Sequence, residues 1–311
     1  MSETEKEIFV LTGTTAVGKT ELALEWAEAN DAEILSCDST NVYRGMDIGT
    51  AKPSREERSR VPHHGLDLVA PNEKFSVGDY VEYSVRVVAD VFSRGKKILV
   101  TGGSGFYLKS FFAPVTDELE IPPVVRERVA AILARGNAFS ENALRELNDG
   151  GNAAPENFDW ANPRRVAKGL ERCIASGKTL SALKAEFDAR KCPFAAFPKR
   201  TVLLVRDRDS LNRRIDARVK KMLADGLVEE VRTLASAGLL VPDTPAGNAI
   251  GYRETLAWLG GGEPGGVPAL AEAIALSTRR LAAKQRKWFR TQIVADEVRT
   301  LDSRPCRISD F

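Results

Sequence analysis

Apolar and polar positions form alternating blocks along the first hundred residues. The apolar segments 8–12, 32–37 and 96–101 have the length and composition of buried strands, and each ends in a polar or glycine-bearing turn. Between them, residues 21–29 and 78–94 repeat apolar side chains at helical spacing. Strand alternating with helix predicts a parallel sheet, flanked by helices and joined by right-handed crossovers.

The middle of the chain has a different pattern. Residues 115–198 open with prolines and then indicate several helices, interrupted by glycine and proline, with few strand signals. An apolar strand at 201–205 resumes the sheet pattern, and the helix after it has Ser210 as its predicted N-cap. We therefore expect an α/β core made of residues 1–114 and 199–311, with an all-helical domain inserted at 115–198.

The turn after the first strand carries a phosphate-binding motif. Its residues read GTTAVGKT and match the pattern G-x-x-x-x-G-K-[ST]. In a turn between a strand and a helix, backbone N–H groups and the helix dipole attract an anion. Lys19 adds a positive charge, and the Thr20 hydroxyl can hold magnesium. The predicted phosphate-binding residues are Gly13, Thr14, Thr15, Ala16, Val17, Gly18, Lys19 and Thr20. The motif predicts a P-loop NTPase-like sheet and a phosphorylated ligand, but not which reaction occurs.

The next two strands also end in residues that could carry chemistry. The second leads into Asp38, and the third leads through Gly102 and Gly103 into Ser104. Because parallel sheets bind ligands at the carboxyl ends of their strands, we expect the phosphate loop, Asp38 and Ser104 to line one crevice. Phosphate-loop enzymes commonly end an apolar strand in an Asp that orients magnesium, whereas the third strand here ends in glycine. A kinase could still use Asp38 to accept a hydroxyl proton, so these turns leave the reaction open.

Composition limits the class of protein. The chain has 311 residues and a formal net charge of +2. It lacks any apolar run near the ~20 residues of a membrane span. Residues 1–7 are acidic and polar, unlike a targeting signal, and the four cysteines are far apart, as in a protein with reduced thiols. We therefore expect a cytoplasmic protein with no membrane association.

Positive charge is concentrated near the C-terminus. Residues 278–290 contain six basic residues and no acid, and on a helix these fall within an arc of roughly 160°. Ile274, Leu281 and Trp288 lie opposite them, as a stripe predicted to face the core. The basic face is either a solvated helix surface or a contact for nucleic-acid phosphates.

Longer motifs are more specific than the phosphate loop. They are GTTAVGKT (13–20), DSTNVYRGMDIGTAKP (38–53), VPHHGLD (61–67), TGGSGFYLK (101–109), NPRRVAKGLE (162–171), SGKTLS (176–181), LNRRIDARVKKML (211–223), AIGYRE (249–254) and TRRLAAKQRKWFR (278–290). In these motifs and their order, over nearly its whole length, the chain resembles the tRNA dimethylallyltransferase family of tRNA prenyltransferases.

The resemblance implies a reaction and its partners. A dimethylallyl group would pass from dimethylallyl diphosphate to the exocyclic amine of the adenosine 3′ of the anticodon, in tRNAs that read codons beginning with U. The phosphate loop would hold the diphosphate as a leaving group, with Mg²⁺ as cofactor and no nucleotide hydrolysed. The expected partners are dimethylallyl diphosphate and the tRNA anticodon stem-loop, and the enzyme is expected to be a monomer.

The resemblance also assigns roles to residues. Asp38 would be the general base for the amine, Ser104 would orient that amine, and Lys19 and Arg218 would stabilise the leaving diphosphate. Ser104 stands where the family usually has Thr. Arg214 lies one helical turn before Arg218 and is a second residue predicted to bind diphosphate.

The resemblance further predicts contacts to tRNA. They are Asp38, Ser39, Thr40, Asn41, Ser104, Arg126, Asn162, Pro163, Arg164, Arg165 and Val166. Asn41 and Asn162 stand where the family commonly has Gln and Asp. Arginines of the insert can hold phosphates or stack on unpaired bases, and the target base must leave its stack to reach Asp38.

Other functions remain open. The chain could be a phosphate-loop kinase of a nucleotide or small metabolite, or an enzyme that prenylates free adenine nucleotides. A nonenzymatic RNA-binding module would leave the intact phosphate loop unexplained. The helical insert and the basic final helix favour a macromolecular acceptor. His63 and His64 have no Asp, Glu or Cys at convincing ligand spacing, so we expect them to form local hydrogen bonds.

Overall fold

The sheet has six strands within residues 6–116 and 119–301, the part of the chain that the computed structural model describes. The strand order is β3-β2-β4-β1-β5-β6, and every neighbouring pair is parallel. The strands are β1 Ile8–Gly13, β2 Ala32–Cys37, β3 His63–His64, β4 Lys97–Gly102, β5 Lys199–Val205 and β6 Glu297–Thr300. The predicted parallel α/β sheet is confirmed.

Helices connect and cover these strands. They are α1 Lys19–Ala29, α2 Arg55–Arg60, α3 Val77–Ser93, α4 Gly105–Lys109, α5 Pro123–Leu133, α6 Asn137–Glu146, α7 Pro163–Ser176, α8 Leu180–Asp188, α9 Arg208–Ala224, α10 Leu227–Ser236, α11 Tyr252–Gly260 and α12 Gly266–Gln292. Among the described residues, no helix is both long enough and apolar enough to cross a membrane.

The apolar strands form the centre of the core. Every residue of β1 and β2 is buried, as expected for strands covered by helices on both faces. Phe9 of β1 packs on Trp26 of α1, with ring centroids 4.6 Å apart. Tyr80 of α3 stacks on Tyr107 of α4 at 3.9 Å. These contacts fix the helices that follow the strands at the carboxyl edge of the sheet.

The two edge strands and one helix cap differ from the sequence prediction. β3 has two residues, and β6 alternates half-buried and exposed positions, so neither forms an apolar run that a pattern could reveal. The predicted N-cap Ser210 is wrong. The N-cap of α9 is Asp207, whose carboxylate accepts hydrogen bonds from the N–H groups of Asp209 and Ser210 at 2.8 and 3.1 Å.

The chain divides into a larger unit, residues 1–113 and 193–311, and a smaller unit, Pro114–Cys192. Residues 193–198 therefore group with the larger unit and not with the predicted insert. The reason is visible at Phe194, which is buried and stacks on Phe111 with ring centroids 4.5 Å apart.

The smaller unit contains α5 to α8 around its own apolar core. That core includes Val129, Leu144, Val166, Leu170, Cys173, Leu180 and Leu183. Gly169 lets α6 approach α7 closely, because a Cβ there would lie 2.8 Å from a methyl group of Leu144. Val166 is 2% exposed in this core, so the prediction that its side chain contacts tRNA is withdrawn.

Candidate active site

A cradle for an anion lies between β1 and α1. Gly18 has φ = +113°, in the left-handed region that favours glycine, and α1 begins at the next residue. At Gly13 a Cβ would lie 2.6 Å from the carbonyl oxygen of Leu204 on β5, so only glycine fits beside that strand. The loop therefore turns tightly into a helix N-terminus, the geometry in which backbone N–H groups bind phosphate.

Lys19 lies over this cradle. Its Nζ donates hydrogen bonds to the carbonyl oxygens of Gly13 and Thr14, both at 2.9 Å. Burial and then the nearby Arg218 lower the pKa of Lys19 to about 8, against the opposing effect of Asp38. An anion bound in the cradle would supply the negative charge that this ammonium group lacks.

Three arginines surround the cradle. Arg214 donates through Nε to the carbonyl oxygen of Ala16 at 2.9 Å, and Arg206 donates through Nε to that of Val17 at 3.2 Å. Arg218 is half-buried, and burial followed by repulsion from Arg214 lowers its pKa. Arg214 and Arg206 therefore support the loop, whereas Arg218 faces the cavities described below. Arg206 was not predicted; its only signal was its position just after β5.

Asp38 and Ser104 follow the adjacent strands β2 and β4. The Asp38 Oδ1 accepts hydrogen bonds from the backbone N–H and the hydroxyl of Thr40, at 2.9 and 2.7 Å. The Ser104 hydroxyl accepts from the N–H of Ser39 at 2.8 Å and donates to the Ser39 hydroxyl at 3.1 Å. Gly102 lets the strand ends meet, since a Cβ there would lie 2.1 Å from the carbonyl oxygen of Cys37.

A cavity of about 800 Å³ opens beside Asp38 and Ser104. Its apolar lining comes from Val77, Phe106, Tyr107, Val219, Met222, Ile250, Ile274, Leu281 and Trp288. The sequence predicted that Leu281 and Trp288 face the core, whereas both are half-buried and line this cavity. Trp288 lies against Gly105, where a Cβ would come within 2.9 Å of the indole ring. The apolar face of α12 therefore forms a wall of the cavity.

A smaller polar chamber of about 110 Å³ lies next to the cradle. Lys19, Thr20 and Asp38 line it, together with the buried side chain of Asn41. The Asn41 Oδ1 and the Thr101 hydroxyl are buried without a hydrogen-bond partner among the described residues. Oxygen donors of this kind fit magnesium, which binds at phosphates through few protein ligands and several waters. Asn41, predicted to contact tRNA, faces this chamber and does not line the large cavity.

Gln285 of α12 connects the two spaces. It lines both the large cavity and the polar chamber, as do Thr15, Asp38 and Arg218. Its Oε1 accepts from the N–H of Thr15 at 2.8 Å, and its Nε2 donates to the carbonyl oxygen of Gly103 at 2.9 Å. Sequence reasoning missed this residue because attention fell on the charges around it.

The remaining predicted residues lie elsewhere. Asn162 is the N-cap of α7, and its Oδ1 accepts from the N–H groups of Arg164 and Arg165. Pro163 begins the helix, and the side chains of Arg126, Arg164 and Arg165 are exposed on the smaller unit. His63 donates to the carbonyl oxygen of Val61, and His64 to the carboxylate of Glu33.

The parallel sheet and its strand–loop–helix cradle define the class of P-loop NTPase-like enzymes. A family model for IPP transferases matches residues 41–292. The tRNA dimethylallyltransferase of Opitutus terrae is 51% identical to the chain, over 91% of this chain and 90% of that protein. The tRNA dimethylallyltransferase of Geobacter metallireducens is 40% identical, over 93% and 92% of the two. The chain belongs to the IPP transferase family, so the predicted family is confirmed.

Solved structures show the same relationship. The full-length tRNA isopentenylpyrophosphate transferase of Bacillus halodurans matches with a TM-score of 0.65 and 28% identity, over 96% of this chain and 90% of that chain. A eukaryotic dimethylallyltransferase acting on tRNA matches with a TM-score of 0.80 and 25% identity, over 96% and 74%. These matches confirm the predicted fold class.

Proposed function

We propose that this protein transfers a dimethylallyl group from dimethylallyl diphosphate to the exocyclic amine of an adenosine in tRNA, releasing diphosphate. Similar proteins are named for that transfer, and one similar solved enzyme is described as acting on tRNA. The observation that carries the proposal is the direct connection between an anion cradle and an apolar cavity, with Thr15, Asp38, Arg218 and Gln285 lining both spaces.

The cradle suits a leaving diphosphate. As the allylic C–O bond breaks, negative charge accumulates on the departing oxygens, and fixed donors in the cradle stabilise that charge. Lys19 and Arg218 stand at the boundary between cradle and cavity. The apolar cavity would receive the five-carbon group and keep water from the electron-deficient carbon.

Asp38 is the proposed general base. The adenine amine is a weak nucleophile, but its nitrogen becomes strongly acidic as the new C–N bond forms, so a carboxylate can take the proton. Thr40 holds Oδ1 of Asp38, and Ser39 holds the hydroxyl of Ser104, so both groups are oriented before the base arrives. Ser104 would then accept a hydrogen bond from the amine.

Thr20 and the polar chamber are the proposed place for Mg²⁺. When bound there, the ion would neutralise part of the charge on the diphosphate. Lys19 would balance a further part. We also expect the enzyme to act as a cytoplasmic monomer, and sedimentation of the purified protein tests its oligomeric state.

Arginines of the smaller unit are proposed to hold the anticodon stem-loop. Arg126, Arg164 and Arg165 are exposed, and exposed arginines can bind RNA phosphates or stack on unpaired bases. Replacing Arg164 and Arg165 with Ala should weaken tRNA binding and flatten its salt dependence by about 1 per lost phosphate contact. The control replaces Lys178 and Lys184, exposed lysines of the same unit that pair with acids. An unchanged slope would remove these arginines from the interface.

The direct test is a transfer assay. The full-length protein is incubated with labelled dimethylallyl diphosphate, Mg²⁺ and unmodified tRNA, and the nucleosides are then analysed. The proposal predicts label on the adenosine 3′ of the anticodon in tRNAs that read codons beginning with U. Label in free adenine nucleotides but not in tRNA would contradict it, as would phosphoryl transfer from ATP without prenyl donor.

A further inference from the structure

Glu230 of α10 accepts hydrogen bonds from four donors outside its own helix. Its Oε2 accepts from the backbone N–H groups of Asp47 at 3.0 Å and Ile48 at 2.8 Å. Its Oε1 accepts from the N–H of Gly49 at 3.2 Å and from the Tyr252 hydroxyl at 2.6 Å. A carboxylate surrounded in this way is favoured as the anion and fixes its donors in one geometry. It ties residues 47–49 to both α10 and α11.

The same loop is held from its other side by a buried cation. The Lys52 side chain is 0% exposed, and its Nζ donates to Asp47 at 2.6 Å, to Asp67 at 2.7 Å and to the carbonyl oxygen of Tyr43 at 2.7 Å. Asp47 is therefore fixed twice, through its N–H by Glu230 and through its carboxylate by Lys52.

Packing around Gly49 explains why the arrangement is tight. A Cβ on Gly49 would lie 2.5 Å from the ring of Tyr252 and 2.9 Å from a methyl group of Leu227. Both Tyr252 and Leu227 are 0% exposed. The loop backbone thus lies directly against the tyrosine whose hydroxyl donates to Glu230.

These contacts shape one part of the large cavity. Gly49 and Thr50 of the loop line it, as do Ile250 and Arg253 on either side of Tyr252. We call these four residues the loop wall. The phosphate cradle has separate supports, since its hydrogen bonds come from Arg206, Arg214 and Gln285.

We propose that Glu230 is a positioning residue for the RNA acceptor: it fixes the loop wall and so the cavity that receives the target base. The inference rests on the proposed function, because the cavity is taken as the place of the acceptor. Glu230 itself does not line the cavity and acts through Gly49 and Tyr252. Acceptor use and donor binding should therefore respond differently when it is changed.

The test compares Glu230→Gln with Glu229→Gln. The amide introduced by Glu230→Gln would turn its own N–H group toward backbone donors, whereas the neighbouring Glu229 is 75% exposed and serves as a matched control. In Glu230→Gln we expect kcat/KM for tRNA to fall about tenfold or more, and amide hydrogen exchange at residues 47–49 to accelerate by a similar factor. The Kd for inorganic diphosphate should stay within about twofold of wild type. Glu229→Gln should match wild type in all three measurements.

Tyr252→Phe gives a second variant that keeps the ring packed against Gly49 and removes one hydrogen bond. We expect a smaller loss in kcat/KM for tRNA, and a double variant with Glu230→Gln that is no worse than Glu230→Gln alone. Wild-type use of tRNA by Glu230→Gln, or a parallel loss of diphosphate binding, would overturn the inference. If wild type itself fails to prenylate tRNA, the proposed function has failed instead, and the hydrogen-exchange comparison still tests whether Glu230 orders the loop.

Discussion

The carboxamide of Gln285 accepts a hydrogen bond from the backbone N–H of Thr15, inside the phosphate loop, at 2.8 Å. The two residues are 270 positions apart in the sequence. Through its other end Gln285 donates to Gly103, one residue before Ser104. The last long helix thus links the cradle, where the leaving group would lie, to the turn that presents the residue proposed to orient the acceptor.

This link leads to a prediction for Gln285→Glu. A carboxylate beside Thr15 would repel a bound diphosphate and lose the hydrogen bond to the Gly103 carbonyl oxygen, so the donor KM should rise about tenfold or more. Gln292→Glu is the matched control, because Gln292 lies at the exposed end of the same helix. Steady-state kinetics with varied donor measures the effect. An unchanged donor KM would separate Gln285 from the donor site.

Asp38→Asn should lower turnover by roughly 100-fold or more while tRNA binding survives, because the amide keeps the shape of the side chain but cannot accept the proton. Asp31→Asn, an exposed position just before the same strand, should have little effect. Single-turnover transfer and a tRNA binding titration provide the two readouts. Equal losses of rate and affinity would indicate a structural role for Asp38.

Lys19 predicts a pH dependence of donor binding. Its pKa is lowered to about 8 by burial and by Arg218, so the ammonium is fully charged only below that pH. Wild type should bind inorganic diphosphate at least about tenfold more tightly than Lys19→Ala near pH 7, and the difference should shrink as the pH rises from about 8 to about 9.5. Calorimetric titration of both proteins across that range gives the comparison. A difference that is constant with pH would exclude Lys19 as the titrating group.

Glu33 predicts a loss of stability in acid. Its buried carboxylate accepts hydrogen bonds from Arg94 at 2.9 Å and His64 at 2.7 Å, and Arg94 above all lowers its pKa to about 2. A lowered carboxyl pKa contributes stability that is present above the ordinary value, 4.5, and is lost as the pH falls toward 2.

Glu33→Gln should therefore destabilise the protein by about 2 kcal/mol at pH 7, and the difference from wild type should narrow below pH 4.5. Urea unfolding at several pH values measures it. Glu28→Gln, which breaks the exposed pair with Arg60, is the control and should change stability little. A gap between Glu33→Gln and wild type that persists into acid would contradict the assignment.

The sequence predicted the central strands because their apolar runs are long and are buried on both faces. It missed β3 and β6, whose pairing depends on neighbours in the sheet and not on their own composition. Gly65 had no explanation from sequence. The structure supplies one, since Gly65 has φ = +80° and a Cβ there would lie 2.9 Å from the carbonyl oxygen of Ser36.

The candidate site divides in the same way. The phosphate loop, Asp38 and Ser104 could be located in advance because parallel topology brings the ends of their strands to one edge. Gln285 and Glu230 could not, because each acts through hydrogen bonds to backbone groups far away in the sequence. The helical period of α12 correctly grouped Leu281 with Trp288, but it could not distinguish a cavity wall from a core.

The central claim is that the phosphate loop holds a leaving group and does not hydrolyse a nucleotide. The most direct measurement is the amount of diphosphate released against the amount of prenylated adenosine formed, with tRNA and dimethylallyl diphosphate as the only substrates. We predict one diphosphate for each adenosine modified, without ATP. A requirement for ATP, or release of phosphate from a nucleotide in step with the reaction, would contradict this account.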